Sequence, residues 1–207
     1  PYDPKCINPN SYNLKLHPQL LVYERNSDRE NIIPKIKNIN SMEKLDNVVL
    51  TPNEYDSIRI SNAIDDIFNM PIIESNNLDP IDMKKENKTI EFEIPEEGYV
   101  LQPGVLYIGR TVERTFTDKF IPMINGRSSG GRLGISIHIC AGFGDIGFDG
   151  TWTLEITAVE PVRIYPNVEI AQVCYFNPSG KIGKLYRGRY YGQEDATASR
   201  FYKPKEY

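Results

Sequence analysis

The densest group of residues that could do chemistry is the run Gly126–Gly134, GRSSGGRLG. Its glycines free the backbone to turn so that amide groups converge, and its two serines offer hydroxyls. Arg127 and Arg132 add donor forks that suit phosphate oxygens. The run therefore predicts a phosphate site. By composition alone, a solvated Gly/Ser turn with ordinary surface arginines explains it equally well.

Two carboxylates, Asp145 and Glu155, lie ten residues apart in the next part of the chain. Glu155 falls inside the apolar run Trp152–Ile156, where a carboxylate is costly unless it is paired, protonated or used. Strand alternation would place it on one face with Thr151 and Thr153, so it could simply be solvated on a polar outer face. The alternative is a general base that activates water.

Short β-type runs must position these groups, because from Thr89 onward such runs alternate with Gly, Pro and Asp breaks. The runs are TIEFEI, GYVLQPG, VLYIGRTVERTF, ISIHICA, TWTLEITAVEPVRIY and IAQVCYF. This rhythm predicts a mainly β fold, a barrel or jelly roll with a few short helices. A parallel α/β fold is disfavoured, since crossover helices have no room between the runs.

The chain divides into a barrel domain at residues 1–180 and an arm or lid at 181–207. In the barrel domain, Asn13–Tyr23 alternates well enough for a strand, whereas residues 26–88 are largely polar and predict an insertion. The arm is rich in Gly, Arg and Tyr and has little apolar periodicity.

Composition excludes several classes of function. The net charge is −4, from 24 basic and 28 acidic residues, so we expect no nucleic-acid partner. Two histidines and three scattered cysteines lack the spacing of a zinc site, and we expect Cys140 and Cys174 to be buried small hydrophobes. The odd cysteine set fits a cytoplasmic location, and no apolar stretch approaches the roughly 18 residues of a membrane span.

Several ordered motifs together resemble the dCTP deaminase branch of the dUTPase superfamily. They are the GRSSGGRLG run, the AGF-x-D-x-GF-x-G-x-x-TLE run at Ala141–Glu155, the strand INPNSYNLKL at Ile7–Leu16, the LQPG turn at Leu101–Gly104, and the tail at Tyr190–Arg200. The resemblance implies a distorted β-barrel or jelly roll of the dUTPase-like type, assembled as a homotrimer with sites at the subunit interfaces.

For deamination, the resemblance implies a water activated without zinc or any other bound metal. Glu155 would be the general base that takes a proton from the water attacking C4 of cytosine. Ser128 and the backbone of Ala141 would orient the water and the base. Arg132 would serve both catalysis and triphosphate binding.

Further residues would hold the nucleotide: Arg127, Ser129, Phe148, Tyr186, Arg189 and Gln193. Arg189 stands where the family has a lysine, which keeps the charge and changes the geometry. Phe148 would lie near the nucleotide. Tyr186 would close over the phosphates through the tail, although a tyrosine-rich contact within the trimer is an equal alternative.

Asp145 matches the aspartate that, in dUTPase relatives, contacts the 3′-hydroxyl and positions the water attacking the α-phosphorus. Having both carboxylates resembles the bifunctional enzymes that convert dCTP to dUMP, with Mg²⁺ bound through the substrate triphosphate. Two residues depart from the family pattern: Gly144 stands where an apolar residue usually precedes the aspartate, and Ile146 replaces the usual small residue or Pro after it. The substrates would be dCTP and dUTP, and dTTP a candidate inhibitor. The alternatives are a dUTP diphosphatase alone, or a nucleotide-sensing regulator on the same scaffold.

Overall fold

Short strands separated by turns make up most of the described chain. The computed structural model describes residues 2–24 and 80–204, so most of the predicted insertion at 26–88 lies outside the described residues. The strands are β1 (Tyr12–Lys15), β2 (Gln19–Tyr23), β3 (Thr89–Glu93), β4 (Tyr99–Leu101), β5 (Tyr107–Phe116), β6 (Ile121–Gly126), β7 (Ile135–Ser136), β8 (Asp149–Ala158), β9 (Val162–Ile164) and β10 (Glu169–Phe176). Helical structure in the described residues is a 3₁₀ turn at Pro4–Cys6 and a short helix α1 at Ser128–Arg132.

The strands form three antiparallel sheets. Five strands pair in the order β3-β2-β5-β8-β7, three in the order β1-β10-β6, and β4 pairs with β9. This arrangement confirms the predicted fold class, a mainly β fold. No helix within the described ranges is long and apolar enough to cross a membrane.

The apolar core fixes which way β8 faces. Leu154 and Ile156 are almost completely buried, and in the register between β5 and β8 Ile156 lies opposite the buried Tyr107. Burying each such side chain is worth about 1.5–3 kcal/mol. Because successive side chains of a strand point to opposite faces, Glu155 must point away from this core. A one-residue slip would bury the carboxylate, so the hydrophobic pattern specifies the register.

Three details of the strand prediction are wrong. Asn13–Tyr23 forms two strands, because Pro18 has no N–H for a ladder and restricts the residue before it. The strand β6 was not predicted, because Pro122 within it argues against a strand. The run Ile135–Ala141 is a strand only at β7.

The chain leaves the ladder after β7 because its polar groups find other partners. Ser136 Oγ donates to the main-chain oxygen of His138 at 2.8 Å, and Ile139 N donates to the carboxylate of Glu155. Cys140 is consequently exposed rather than buried, and Cys174 is half-buried.

The C-terminal arm folds back on the barrel through turns. Thr151 N donates to the main-chain oxygen of Gln193 at 3.0 Å, and Ser199 N donates to the hydroxyl of Tyr23 at 3.0 Å. Ala196 is buried in a cluster with Leu21 and Tyr23 of β2 and Ile108 of β5. These contacts attach the arm to β2, β5 and β8.

Candidate functional site

Glu155 lies half-buried in the middle of β8 with an oriented carboxylate. Its Oε2 accepts a hydrogen bond from Ile139 N at 2.9 Å, and its own N–H donates to the main-chain oxygen of Ile137 at 2.9 Å. Among the described residues, Oε1 has no hydrogen-bond partner. One oxygen is thus held by the backbone while the other is free to accept a proton.

The segment facing Glu155 is held by close packing at Gly142. A Cβ at this position would lie 2.6 Å from the main-chain oxygen of Ile124 and 2.9 Å from Nε2 of His138. Ile124 N donates to the oxygen of Gly142 at 2.7 Å, which anchors the chain directly after Ala141. Ala141 is exposed between this anchor and the Ile139 contact to Glu155.

Both serines and Arg132 of the glycine-rich run lie in helix α1, and Arg127 lies directly before it. Ser128 and Ser129 are exposed in the helix. Arg132 is exposed at its end and donates from Nη1 to the main-chain oxygen of Ser128 at 3.1 Å. Arg127, just before the helix, turns instead toward β10, where its Nη1 lies 2.8 Å from a carboxylate oxygen of Glu169.

Asp145 occupies the first position of a tight turn. Phe148 N donates to its main-chain oxygen at 3.1 Å, and Gly147 has a φ of +95°, the positive φ that a type II turn requires at its third residue. The Asp145 side chain is exposed and has no hydrogen-bond partner in the described part of the chain.

Packing explains why glycine precedes Asp145. A Cβ on Gly144 would overlap the ring of Trp152, and it would lie 3.0 Å from Cγ of Pro122. Gly144 N donates to the main-chain oxygen of Pro122 at 2.9 Å. The departure of Gly144 from the family pattern therefore accompanies an indole ring that fills the space, and β6 fixes the entry to the turn.

A groove of about 640 Å³ lies between this turn and the arm. Asp145 lines it together with four cationic side chains, Lys181, Lys184, Arg187 and Arg189. Such a surplus of positive charge suits an anionic ligand. Glu155 does not line the groove, so the two carboxylates have separate surroundings in the single chain.

The arginines of the arm are partly engaged by the arm itself. Arg187 donates from Nη1 to the main-chain oxygen of Gly147 at 3.0 Å and lies over the ring of Tyr191. Arg189 donates to the main-chain oxygen of Lys203, whereas its buried Nε has no partner among the described residues.

The predicted nucleotide-contacting aromatic residues Phe148 and Tyr186 lie close together with tilted rings. Phe148 is buried, with its ring centroid 4.6 Å from Trp152 and 6.2 Å from Tyr186. Tyr186 lines the groove, and its hydroxyl accepts a hydrogen bond from Tyr190 N at 3.1 Å. Phe148 therefore supports the turn and the arm from inside.

Gln193 joins the arm to the strand that carries Glu155. Its buried amide donates from Nε2 to the main-chain oxygen of Thr151 at 2.8 Å and to Oγ1 of Thr153 at 3.1 Å. Thr153 shares a face of β8 with Glu155. Within the described ranges, the buried Oε1 of Gln193 has no partner.

Comparison with known proteins gives a consistent result. A family model described as dCTP deaminase-like matches residues 57–177, more than half of the chain. The chain belongs to the dCTP deaminase-like family.

Named relatives of this family match nearly the whole chain. A "dCTP deaminase, dUMP-forming" from Hathewaya histolytica is 42% identical over 206 residues, covering 100% of this chain and 89% of the relative. One from Clostridium acetobutylicum is 42% identical over 203 residues and covers 98% and 87%, respectively. One from Clostridium botulinum (strain Alaska E43 / Type E3) is 45% identical over 206 residues and covers 100% and 88%.

A solved structure also matches, at a lower level. The crystal structure of 2′-deoxycytidine 5′-triphosphate deaminase from Agrobacterium tumefaciens is 17% identical, with a TM-score of 0.46. The match covers 84% of this chain and 41% of that chain. A likeness at this level carries no argument about function.

Three ion pairs of this family member were not anticipated from its motifs. Arg114 lies 2.8 Å from Asp149 and 2.6 Å from Glu194, which links β5, β8 and the arm. The hydrogen bond from Arg114 holds the pKa of Asp149 below its ordinary value. Glu169 contacts Arg127, as described above. The partners are far apart in sequence, so no local pattern signals them.

Within residues 2–24 and 80–204, no group of three or more His, Cys, Asp or Glu side chains could hold a metal ion.

Proposed function

We propose that this protein converts dCTP to dUMP in two hydrolytic steps, releasing ammonia and then pyrophosphate. The observation that carries the proposal is the oriented carboxylate of Glu155, with one oxygen held by Ile139 N and the other free. Relatives that are 42% identical over nearly the whole of this chain, each named "dCTP deaminase, dUMP-forming", support the same reaction.

In the first step, Glu155 accepts a proton from water as the water oxygen bonds to C4 of cytosine. The carboxyl then gives this proton to the amino group, which leaves C4 as ammonia. The proton of the C4 hydroxyl passes to N3, so that a C4 carbonyl and an N3–H remain. Ser128 and the main-chain oxygen of Ala141 orient the water. Arg132 stabilises the charge of the triphosphate.

In the second step, Asp145 positions a second water for attack on the α-phosphorus, and pyrophosphate leaves. The exposed carboxylate lies on the cationic groove formed with Lys184, Arg187 and Arg189. Those side chains, with Ser129 and Arg127, suit the triphosphate. Mg²⁺ enters as part of the substrate, between phosphate oxygens, a form of binding that this ion favours.

Assembly as a homotrimer is part of the proposal. Large apolar side chains are exposed around α1 and the end of β8, and they include Leu133, Ile139 and Val159. Exposed apolar patches near a polar site are typical of subunit interfaces. A neighbouring subunit would bring the residues of α1 toward the groove of the next chain.

We also expect dTTP, which carries the same triphosphate, to compete for the site. We expect a cytoplasmic location for the protein.

A second candidate function is dUTP diphosphatase activity alone. The groove lined by Asp145 does not include Glu155, and this separation favours the diphosphatase function. Hydrolysis at the α-phosphorus takes place away from C4 and does not require Glu155. A regulator that binds dCTP and dUTP without turnover is the remaining alternative.

Product analysis separates these functions. The protein is incubated with dCTP or dUTP in the presence and absence of Mg²⁺, and nucleotides are resolved by anion exchange. We expect dUMP from both substrates when Mg²⁺ is present. Formation of dUMP from dUTP with dCTP untouched would assign the diphosphatase function, and binding without any product would assign the regulator.

A further inference from the structure

Glu169, at the start of β10, is the centre of a polar network beside the glycine-rich run. Its Oε2 accepts a hydrogen bond from Asn13 Nδ2 at 2.8 Å and lies 2.8 Å from Nη1 of Arg127. Its Oε1 faces the buried thiol of Cys6 at 3.6 Å. Asn8 Nδ2 donates to Oδ1 of Asn13 at 2.7 Å, which turns the Asn13 amide donor toward Glu169. The carboxylate is therefore fixed from several sides.

Arg127 is held by Glu169 through its Nη1. Nη1 contacts the carboxylate of Glu169 and also donates to the main-chain oxygen of the same residue at 3.0 Å. Among the described residues, Nη2 and Nε of Arg127 have no hydrogen-bond partner. A guanidinium is planar and rigid, so fixing Nη1 also fixes the direction of the remaining donor edge. The Arg127 side chain remains about one-third exposed.

We propose that Glu169 is a positioning residue for substrate binding, holding Arg127 so that its Nη2–Nε edge is presented to the triphosphate. Arg127 directly precedes Ser128, so the same ion pair fixes the entry to the serines of the run. A preorganised donor fork loses less side-chain freedom when an anion binds, which lowers the cost of binding. Glu169 acts through Arg127 and does not touch the substrate.

The network supplies a charge-exchange test. Asn13 and Arg127 contact the same oxygen of Glu169, so a carboxylate at position 13 would lie near the place where the Glu169 carboxylate now lies. Asn13→Asp in the native protein would place a second negatively charged carboxylate next to Glu169, and the two would repel each other. Combined with Glu169→Gln, the same change restores one carboxylate and one amide in the network.

The experiment measures steady-state kinetics with dCTP and equilibrium binding of inorganic tripolyphosphate by calorimetry, for the full chain and three variants. For Glu169→Gln we expect the KM for dCTP and the Kd for tripolyphosphate to rise about tenfold, with kcat within about twofold. The double variant Glu169→Gln with Asn13→Asp should recover most of both losses. If Glu169→Gln alone does not fold, the double variant still tests the inference, because it must bind nearly as well as the native protein.

Asp3→Asn is the matched control. It removes the ion pair of Asp3 with Lys15, 3.1 Å long and as exposed as the Glu169 pair, at the same end of the barrel. It should change neither KM nor Kd. The inference is overturned if Glu169→Gln binds as the native protein does, if Asp3→Asn weakens binding equally, or if the double variant stays as weak as Glu169→Gln.

The inference rests on the proposed function, and the two readouts separate their failures. Normal dCTP turnover with an unaffected Glu169→Gln variant refutes the positioning role alone. Absence of turnover in the native protein, with tripolyphosphate binding that weakens in Glu169→Gln, refutes the reaction alone. Absence of both turnover and tripolyphosphate binding refutes both.

Discussion

Glu155 and Asp145 are held by two different kinds of structure. Glu155 belongs to a long strand whose buried neighbours, Leu154 and Ile156, fix its direction, and a backbone N–H orients its carboxylate. Asp145 belongs to a four-residue turn, and its side chain has no hydrogen-bond partner in the described part of the chain. The packing of β8 on the core sets the direction of the Glu155 carboxylate, whereas the backbone of the turn sets the position of the Asp145 carboxylate.

This difference predicts different sensitivities for the two proposed steps. Deamination should depend on the Glu155 carboxylate itself and tolerate changes around the turn. Phosphate hydrolysis should depend on the Asp145 carboxylate and also on the packing that places its turn. Changes at the two regions should therefore alter the products in different ways.

The largest effect is expected for Glu155→Gln. The amide keeps the size of the side chain but cannot accept the proton from water, so ammonia release from dCTP should fall on the order of 10³-fold. Hydrolysis of dUTP to dUMP should continue. Glu160→Gln, which alters an exposed carboxylate just beyond β8, is the control and should leave both activities unchanged. Undiminished ammonia release in Glu155→Gln would refute its role as the base.

A smaller loss is expected for Asp145→Asn. Without the carboxylate the second water is poorly positioned, so dUMP formation should fall about 10²-fold while ammonia release persists. The product of dCTP should then be dUTP. Asp118→Asn, at an exposed aspartate outside the groove, serves as the control. Equal loss of ammonia and dUMP in Asp145→Asn would remove the distinction between the two carboxylates.

The packing beneath the turn gives a third test. Gly144→Ala should force the Trp152 ring or the turn to move, at a cost of about 1–3 kcal/mol of unfolding free energy. Formation of dUMP should fall more than ammonia release, because Asp145 follows directly. In Gly183→Ala, where a Cβ would meet open space, stability should not change. Thermal unfolding and product ratios measure both effects, and an equal fall in the two activities would contradict the prediction.

The smallest effect concerns the ion pair between Arg114 of β5 and Asp149 of β8. The hydrogen bond from Arg114 lowers the pKa of Asp149 in the folded protein, so its stabilisation is present above the ordinary pKa of about 4 and is lost as the pH falls through the folded-state value. Asp149→Asn should therefore lower the unfolding midpoint at pH 6, and the difference from the native protein should shrink toward pH 3. A difference that grows with acid would contradict this assignment.

The sequence predicted that Glu155 lies on the face of β8 opposite Leu154 and Ile156, because strand alternation is a local property. Apolar residues at every second position of β8 were enough to orient the carboxylate away from the core. The mainly β fold class followed from the same kind of pattern. The predicted insertion lies mostly outside the described residues and stays a prediction, as do the roles of the site residues.

Contacts between distant segments could not be predicted. The glycine at position 144 is explained by Trp152, which lies beyond an intervening turn, and Arg127 pairs with Glu169, far along the chain. Phe148, whose role near the nucleotide stays a prediction, is buried against Trp152, a contact that its motif did not signal. Each of these depends on how strands pair in space, which residue types and local spacing do not encode.

The stoichiometry of ammonia and pyrophosphate released from dCTP tests the central claim most directly. With Mg²⁺ present and both products followed over one time course, the account predicts one pyrophosphate for each ammonia and dUMP as the final nucleotide. Ammonia released without pyrophosphate, with dUTP accumulating, would contradict the assignment of both reactions to this protein.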